Sequence, residues 1–257
     1  MLRRPAFHQR RGSQCAGGPV ILELDIGNSR IKWRTLAAQG QAVARGSCSR
    51  KDVSDGRMPD PLSAPGLRRI RVSNVAGPEV AADLDRWARD ALGIAPEYAR
   101  ATVRGAGVTS GYREPEKLGV DRWLALLAAW HELGRACVVA DAGTAVTVDV
   151  LDESGAHQGG YIVPGLTLML NALLSGTSGV RPSAGPVASL AAGNCTSDAV
   201  LRGCTAMTVA LIERARGGLE LPLVLTGGDA ELLAPWLAAP TLLRPELVLD
   251  GLSLALP

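Results

Sequence analysis

Two segments far apart in the chain share one pattern and constrain its fold more than any other feature. Ile21–Ser29 and Val138–Ala145 are each an apolar run that ends in Asp-x-Gly and a small polar residue. An apolar run followed by such a turn is typical of a buried strand that enters a hairpin. Because the unit occurs twice, the sequence predicts a duplicated fold with mixed α/β architecture.

The two Asp-x-Gly turns have the chemistry of a nucleotide site. Glycine lets the backbone approach a ligand, and turn N–H groups and a hydroxyl can point at phosphate oxygens. An aspartate at the strand end, Asp25 or Asp141, can hold a hydrated divalent ion. One such turn could be an ordinary hairpin, but two copies favour a nucleotide held between two related halves.

A third segment of interest runs from a strand through a Gly-Gly turn into a helix. Thr226–Asp229 could hold an adenine ring or ribose against bare backbone. It could equally be an ordinary strand–helix turn in which Asp229 is the N-cap. The residues alone leave both interpretations open.

Composition excludes several function classes. The chain has 257 residues, 47% hydrophobic and 20% charged, which suits one large domain or two of ordinary size. Residues 1–18 contain four arginines and no acid, so removing them from the net charge of +2 leaves −2. We therefore expect no nucleic-acid partner and no membrane surface, and we expect residues 1–18 to be a disordered N-terminal extension.

Short motifs exclude other chemistry. No apolar run reaches the roughly 18 residues that span a bilayer. The five cysteines form no Cys-x-x-Cys pair, which favours reduced thiols and a cytoplasmic location. Neither of the two common glycine-rich nucleotide motifs is present, and the three histidines are scattered without zinc-ligand spacing.

Hydrophobic periodicity predicts one order of elements, three strands followed by alternating helices and strands, in each half. We expect the halves to be residues 19–135 and 136–257. The expected elements include a helix from Pro78 to Leu92 closed by Gly93, a helix at 120–133, and a helix at 229–237.

A polar loop, residues 111–119, leads into the apolar helix at 120–133 and delivers Asp121 and Arg122 at its start. Asp121 could simply cap the helix, with Arg122 as a solvated surface charge. Alternatively, Asp121 is poised to accept a proton from a substrate hydroxyl, with Arg122 beside it for an anionic group.

These motifs together resemble the type III pantothenate kinases, a family within the superfamily of actin and the acetate and sugar kinases. The resemblance covers about Ile21 to Leu252, and four separated motifs occur in the family's order. They are Asp25–Ser29, Gly119–Arg122, Asp141–Thr144 with Gly159–Gly165, and Thr226–Asp229. Ser29 replaces a threonine of many members and keeps the hydroxyl.

The resemblance implies two tandem ribonuclease H-like (actin-like ATPase) domains with mixed β-sheets, the first carrying a pantothenate-binding loop. It implies ATP-dependent phosphorylation of pantothenate to 4′-phosphopantothenate, the first step of coenzyme A synthesis, by a homodimer whose pocket lies partly at the interface. The expected cofactors are Mg²⁺ with ATP, held through water by Asp25, and a monovalent cation, K⁺ or NH₄⁺, at Asp141.

The resemblance also assigns residues, with Asp121 as the general base. The implied ATP-binding residues are Asp25, Ile26, Gly27, Asn28, Ser29, Arg30, Ile31, Lys32 and Thr144. The implied substrate-binding residues are Tyr112, Gly119, Val120, Asp121, Arg122 and Thr196.

Three other functions fit the same fold. One is another small-molecule kinase of the superfamily, acting on a sugar or a short carboxylate. A second is a non-catalytic regulatory protein, although Asp25 and Asp121 are both present. A third is a phosphohydrolase of the exopolyphosphatase type, for which no water-orienting Glu or Gln stands out.

Overall fold

A computed structural model of the chain describes residues 20–50, 66–176, 187–218 and 221–257. The predicted extension at residues 1–18 lies outside this range. Within the described residues, two five-stranded mixed sheets have the same strand order, which confirms the predicted α/β duplication.

The first sheet is built around its first strand. Its strands are β1 (Ile21–Ile26), β2 (Arg30–Leu36), β3 (Ala42–Ser49), β4 (Arg69–Asn74) and β5 (Glu97–Tyr98). Their order is β3-β2-β1-β4-β5. The pairs β1–β2 and β2–β3 are antiparallel, whereas β1–β4 and β4–β5 are parallel. β1 is therefore hydrogen-bonded along both edges.

The two faces of β1 differ because side chains alternate along a strand. Leu22, Leu24 and Ile26 belong to the hydrophobic core of this sheet, together with Leu84 and Ala88 of helix α1 (Pro78–Leu92). As predicted, α1 begins at a proline and is closed by Gly93, the residue after its end, which has a left-handed conformation with φ of 69°.

The opposite face of β1 carries a buried ion network. Glu23, fully buried, accepts hydrogen bonds from Arg34 Nε at 2.6 Å and from Arg71 NH1 at 3.1 Å. Arg34 also donates to Asp250 Oδ1 at 2.6 Å and to the Leu249 carbonyl at 2.9 Å. Burial alone would lower the pKa of Arg34, but the carboxylates of Glu23 and Asp250 raise it overall.

The segment that lies between the two sheets in the sequence contains a short hairpin and a long helix. The hairpin strands are β6 (Arg104–Gly105) and β7 (Val108–Thr109). A 3₁₀ turn at Pro115–Lys117 precedes helix α2, which spans Val120–Leu133 as predicted.

The second sheet repeats the first. Its strands are β8 (Cys137–Ala142), β9 (Ala145–Leu151), β10 (His157–Pro164), β11 (Leu223–Thr226) and β12 (Thr241–Leu243). Their order is β10-β9-β8-β11-β12, with the antiparallel and parallel pairs at the same places as in the first sheet. β8 therefore holds the position of β1.

Three helices complete the core of the second sheet. They are α3 (Leu166–Gly176), α4 (Thr196–Arg216) and α5 (Ala230–Leu233). Leu166, Ile212 and Leu233 of these helices pack with Val138 and Ala140 of β8. A last helix, α6 (Leu247–Ala255), ends the chain.

The prediction of one helix over 229–237 was wrong in extent. Helix α5 ends at Leu233, and Ala234–Trp236 forms a 3₁₀ turn. Pro235 has no N–H to continue the helical bonds, and its ring would clash with the carbonyl four residues earlier.

The described residues group into two compact units. The first contains the described residues up to Ala101, with Glu116–Leu124 and Val248–Pro257, and the second contains Thr102–Pro115 and Ala125–Leu247. The two sheets lie on either side of residues 135–136 in the sequence. The assignment of 19–135 and 136–257 as the two ATPase halves stays a prediction.

We expect Glu23→Gln to destabilise the protein by about 3 kcal/mol, because it leaves two buried arginines without their shared counterion. Urea unfolding measures the change. Asp83→Ala, which breaks an ion pair with Arg86 whose side chains are 66% and 70% exposed, should cost less than about 1 kcal/mol. Equal losses of unfolding free energy for the two variants would show that the Glu23 network stabilises the protein no more than an exposed ion pair does.

Candidate active site

Asp25 and Asp141 occupy equivalent positions in the two sheets. Each is the second-last residue of its central strand, β1 or β8. In register, Asp25 lies between Lys32 on β2 and Ser73 on β4. Asp141 lies between Thr147 on β9 and Thr226 on β11. The duplication therefore places one aspartate near the end of each central strand, where the parallel strands of its sheet finish.

The hydroxyl next to each aspartate is buried and lacks a partner. Ser73 Oγ and Thr226 Oγ1 have no hydrogen-bond partner among the described residues, and these residues are 0% and 1% exposed. A buried hydroxyl without a partner is unfavourable, so it calls for a specific explanation. Two such hydroxyls stand at equivalent positions, each beside one of the two site aspartates. This repetition indicates that the position has the same role in both sheets.

The turns that follow the aspartates differ in length. Gly27–Ser29 connects β1 to β2, and the Gly27 N–H donates to the Arg30 carbonyl at 3.0 Å. Gly143 and Thr144 alone connect β8 to β9, and the Gly143 N–H donates to the Ala145 carbonyl at 3.0 Å. Both are tight hairpins, as the sequence predicts, and the first has one residue more.

Two glycines bring separate motifs against the turn after β8. A Cβ on Gly165 would collide with the carbonyl of Gly143, and the Gly165 N–H donates to the Thr144 carbonyl at 2.9 Å. A Cβ on Gly227, whose φ is 100°, would collide with the backbone of Ala142. The structure thus packs together three segments from two of the predicted motifs, those at 141–144, 159–165 and 226–229.

Asp229 lies at the edge of this cluster. Its backbone N–H donates to the Ala142 carbonyl at 2.9 Å, which fixes the Gly-Gly turn to the end of β8. It is the N-cap residue of α5 by position, but its side chain makes no capping hydrogen bond. Burial raises the pKa of its carboxyl.

Gly119–Arg122 forms the start of helix α2. Asp121 is half-buried in the first turn, where its Oδ1 accepts the N–H of Arg122 at 2.8 Å. A Cβ on Gly119 would lie 2.7 Å from that oxygen, so glycine leaves room for the carboxylate. Arg122 is only 5% exposed, and its interpretation as a solvated surface charge is therefore wrong. A buried arginine beside a carboxylate suits recognition of an anion.

Tyr112 is half-buried in the loop that follows β7, and its ring stacks on the ring of His157. The ring centroids lie 5.9 Å apart with an interplanar angle of 14°. Thr196, by contrast, is exposed as the first residue of α4. Tyr112 and Thr196 both belong to the second compact unit, whereas Asp25 and Asp121 belong to the first.

The sequence did not identify two residues near the candidate site, Ser73 and His157. Ser73 gave a weak signal as a polar residue in an apolar strand. His157 gave another, because it stands two residues before Gly159-Gly160, although the three histidines are scattered along the sequence. Neither signal says which residues pack together.

The described residues contain no cluster of three or more His, Cys, Asp or Glu side chains that could enclose a metal ion. A metal held mainly by protein side chains therefore has no support in this part of the chain. Mg²⁺ usually keeps several waters and uses one or two carboxylates plus substrate phosphates. Asp25 fits that role, since it is a single carboxylate beside the hydroxyl of Ser73.

The surroundings of Asp141 suit a monovalent cation instead. K⁺ is coordinated in proteins by oxygen atoms that replace its hydration shell. Asp141 has a threonine on either side in register, and one of them, Thr226, has the buried hydroxyl without a partner. Asp25, in contrast, has a lysine as one neighbour.

Comparison with known proteins identifies a family. The family model described as type III pantothenate kinase matches residues 21–216. A type III pantothenate kinase from Azoarcus sp. (strain BH72) is 42% identical over 239 residues, covering 91% of this chain and 89% of that protein. One from Pseudomonas aeruginosa (strain LESB58) is 37% identical over 248 residues, covering 93% and 99%.

Solved structures support the fold. A protein assigned as a 2-dehydro-3-deoxygalactonokinase from Sinorhizobium meliloti superposes with a TM-score of 0.56 at 14% identity, covering 91% of this chain and 95% of that one. A protein assigned to the Baf family of transcriptional activators, from Campylobacter jejuni, gives 0.59 at 20% identity and covers 90% and 95%. These neighbours confirm the two tandem ribonuclease H-like domains.

We expect Gly227→Ala to lower stability by about 1–3 kcal/mol, because alanine is strained at a φ of 100° and its Cβ meets the backbone of Ala142. Gly228→Ala is the matched control, since a Cβ there has open space around it. Thermal unfolding of both variants measures the difference. A Gly227→Ala protein as stable as Gly228→Ala would contradict this account of the turn.

Proposed function

This chain belongs to the type III pantothenate kinase family, and we infer from this that it transfers the γ-phosphoryl group of ATP to pantothenate. The product is 4′-phosphopantothenate, and the reaction is the first step of coenzyme A biosynthesis. The observation that carries the assignment is the 37–42% identity to type III pantothenate kinases over more than nine-tenths of this chain. ATP is used with a divalent metal ion.

Phosphoryl transfer requires alignment and charge neutralisation more than covalent chemistry by the protein. The hydroxyl oxygen of pantothenate bonds to the γ-phosphorus, the bond from that phosphorus to the ADP oxygen breaks, and the hydroxyl proton leaves. We propose Asp121 as the general base that accepts this proton. Supporting this role, its Oδ1 is held by the Arg122 N–H and its neighbour Gly119 leaves the carboxylate room.

The phosphates of ATP are assigned to the two hairpin turns. Asp25–Lys32 supplies the turn amides of Asn28 and Ser29, the Ser29 hydroxyl and the Lys32 ammonium, while the Gly27 N–H holds the hairpin closed. Thr144 supplies a hydroxyl from the corresponding turn of the second sheet. The packing of Gly165 and Gly227 against residues 142–144 supports this role, because it fixes the turn before any ligand binds.

Pantothenate is assigned to Tyr112, the Gly119–Arg122 turn and Thr196. Arg122 is the cation of this set, and it pairs with an anionic group, either the pantothenate carboxylate or the transferred phosphate. Its burial strengthens such a pair, since water screens it little. Tyr112 supplies a flat, half-buried ring.

Two cations belong to the proposal. Mg²⁺ would be held through water by Asp25, and K⁺ or NH₄⁺ by Asp141 with the Thr226 hydroxyl as a neighbour. Both ions supply positive charge that offsets the phosphate oxygens. Thr147 and Thr226 beside Asp141 add neutral oxygen atoms to a single carboxylate, which supports an ion of one positive charge at that position.

We further propose that the active protein is a homodimer. The support is a set of exposed apolar side chains on neighbouring elements of the second unit, which water would otherwise cover. They are Tyr161 and Ile162 on β10, Leu168 and Leu173 on α3, and Met207 on α4. Thr196, exposed at the start of α4, would be covered by a partner that completes the pantothenate pocket.

A cytoplasmic location completes the proposal. None of the cysteines that the structure describes forms a disulfide, and Cys137 and Cys204 are buried. Burial raises the pKa of the Cys137 thiol to about 12, so this thiol stays protonated. In the described part of the chain, no helix has the length and apolar character needed to cross a membrane.

We expect Asp121→Asn to lower kcat by about 10²–10⁴-fold while nucleotide affinity changes little, because only the proton acceptor is lost. Steady-state kinetics with ATP and pantothenate, and calorimetric titration with a non-hydrolysable ATP analogue, measure the two effects. Glu116→Gln, an exposed carboxylate in the preceding turn, is the control. Phosphorylation at the wild-type rate by Asp121→Asn would refute the base assignment.

We expect the rate to fall about tenfold or more when Na⁺ replaces K⁺ or NH₄⁺, because the smaller Na⁺ fits a site of K⁺ size poorly and offsets the phosphate charge less well. A tenfold fall corresponds to a barrier higher by about 1.4 kcal/mol. Asp141→Asn should be slow in every salt and show little difference between K⁺ and Na⁺. Equal wild-type rates in K⁺ and Na⁺ would argue against a specific monovalent site.

A further inference from the structure

The loop that carries Tyr112 is fixed to the turn between β9 and β10. The Thr109 N–H donates to the Gly155 carbonyl at 3.0 Å, and Thr109 forms a parallel β-bridge with Ala156. A Cβ on Gly111 would collide with the His157 carbonyl. Residues 109–112 therefore run directly over the start of β10.

The β9–β10 turn is itself held by one side chain. Asp152 Oδ1 accepts the N–H of Ser154 at 2.8 Å and the N–H of Ala156 at 3.0 Å. The Ser154 hydroxyl also donates to Oδ1, at 2.7 Å, and together with these two N–H groups it lowers the pKa of the Asp152 carboxyl. The loop that carries Tyr112 therefore lies on a rigid turn.

His157 is the side chain next to this turn that faces Tyr112. Its Nε2 lies 2.9 Å from Asp149 Oδ1, and the two side chains are 0% and 3% exposed. Because a carboxylate can only accept, Nε2 carries the proton of this hydrogen bond. The bond fixes the plane of the imidazole, and the Tyr112 ring lies nearly parallel to it.

A contribution to folding stability does not explain well why His157 and Asp149 are paired. His157 Nδ1 is buried without a hydrogen-bond partner in the described part of the chain. An incompletely satisfied buried polar pair is often no more stable than apolar residues of similar volume. What the imidazole supplies is a flat ring of fixed orientation, beneath the tyrosine that we assign to the pantothenate pocket.

We propose that His157, oriented by Asp149, is a positioning residue for pantothenate, acting through the ring of Tyr112. The inference rests on the proposed function, and in particular on Tyr112 as a pantothenate contact. Without the histidine ring, Tyr112 would sample other rotamers, and pantothenate would have to select one of them. ATP binding and the chemical step would be little affected.

The test compares pantothenate affinity with ATP affinity in His157→Ala. Aromatic pairs contribute about 0.5–1.5 kcal/mol, so we expect Kd and KM for pantothenate to rise about 2- to 12-fold. The KM for ATP should stay within about twofold, because the change is confined to one substrate's contacts. His131→Ala, a histidine exposed on α2, is the control and should change neither constant.

A double-mutant cycle separates positioning through Tyr112 from general structural damage. In a Tyr112→Ala background, His157→Ala should raise the Kd for pantothenate no further. Multiplicative effects of the two substitutions, or equal rises in the KM for both substrates, would overturn the proposal. His157→Phe, which restores a flat ring, should recover part of the pantothenate affinity.

If His157→Ala does not fold, Asp149→Asn gives the same test. The asparagine can still bond to the imidazole but fixes its orientation less strongly, so a smaller rise in the Kd for pantothenate is expected. An unchanged Kd in Asp149→Asn would overturn the proposal. Calorimetry measures these Kd values without turnover, whereas ATP consumption by the wild-type protein with and without pantothenate tests the proposed function separately.

Discussion

The placement of both site aspartates depends on one constraint, the pairing of each sheet's central strand along both edges. β1 lies between β2 and β4, and β8 lies between β9 and β11. If either strand slipped by one residue, its carboxylate would face the hydrophobic core, and a leucine or alanine would face away from the core. The positions of Asp25 and Asp141 therefore follow from main-chain hydrogen bonds and core packing.

Much of this architecture could be predicted from local sequence. The Asp-x-Gly turns identify the hairpins, and Pro78 and Gly93 mark the ends of α1. The strands β5 and β12 were missed because two or three residues carry no periodicity. The helix predicted over 229–237 was too long because the apolar pattern continues past Pro235, whereas the helical hydrogen bonds do not.

The surroundings of the site were harder to predict because burial depends on residues that are distant in sequence. Alternation along β2 indicates a half-buried strand, and Arg34 looks like a solvent-facing position on it. The arginine is buried because Glu23 and Asp250, 11 and 216 residues away, supply its counterions. His157 looks incidental until its contact with Tyr112, 45 positions earlier by residue number, is seen.

The last helix has a consequence for how the protein is made. Residues 248–257 belong to the first compact unit, where Asp250 and the Leu249 carbonyl bind Arg34 and the Pro257 carbonyl accepts from Arg69. A ribosome delivers these residues after the whole second sheet. During synthesis, Arg34 of the N-terminal sheet therefore lacks one of its carboxylates until the second sheet has been made. The half that begins first is completed only after the strands of the other have emerged.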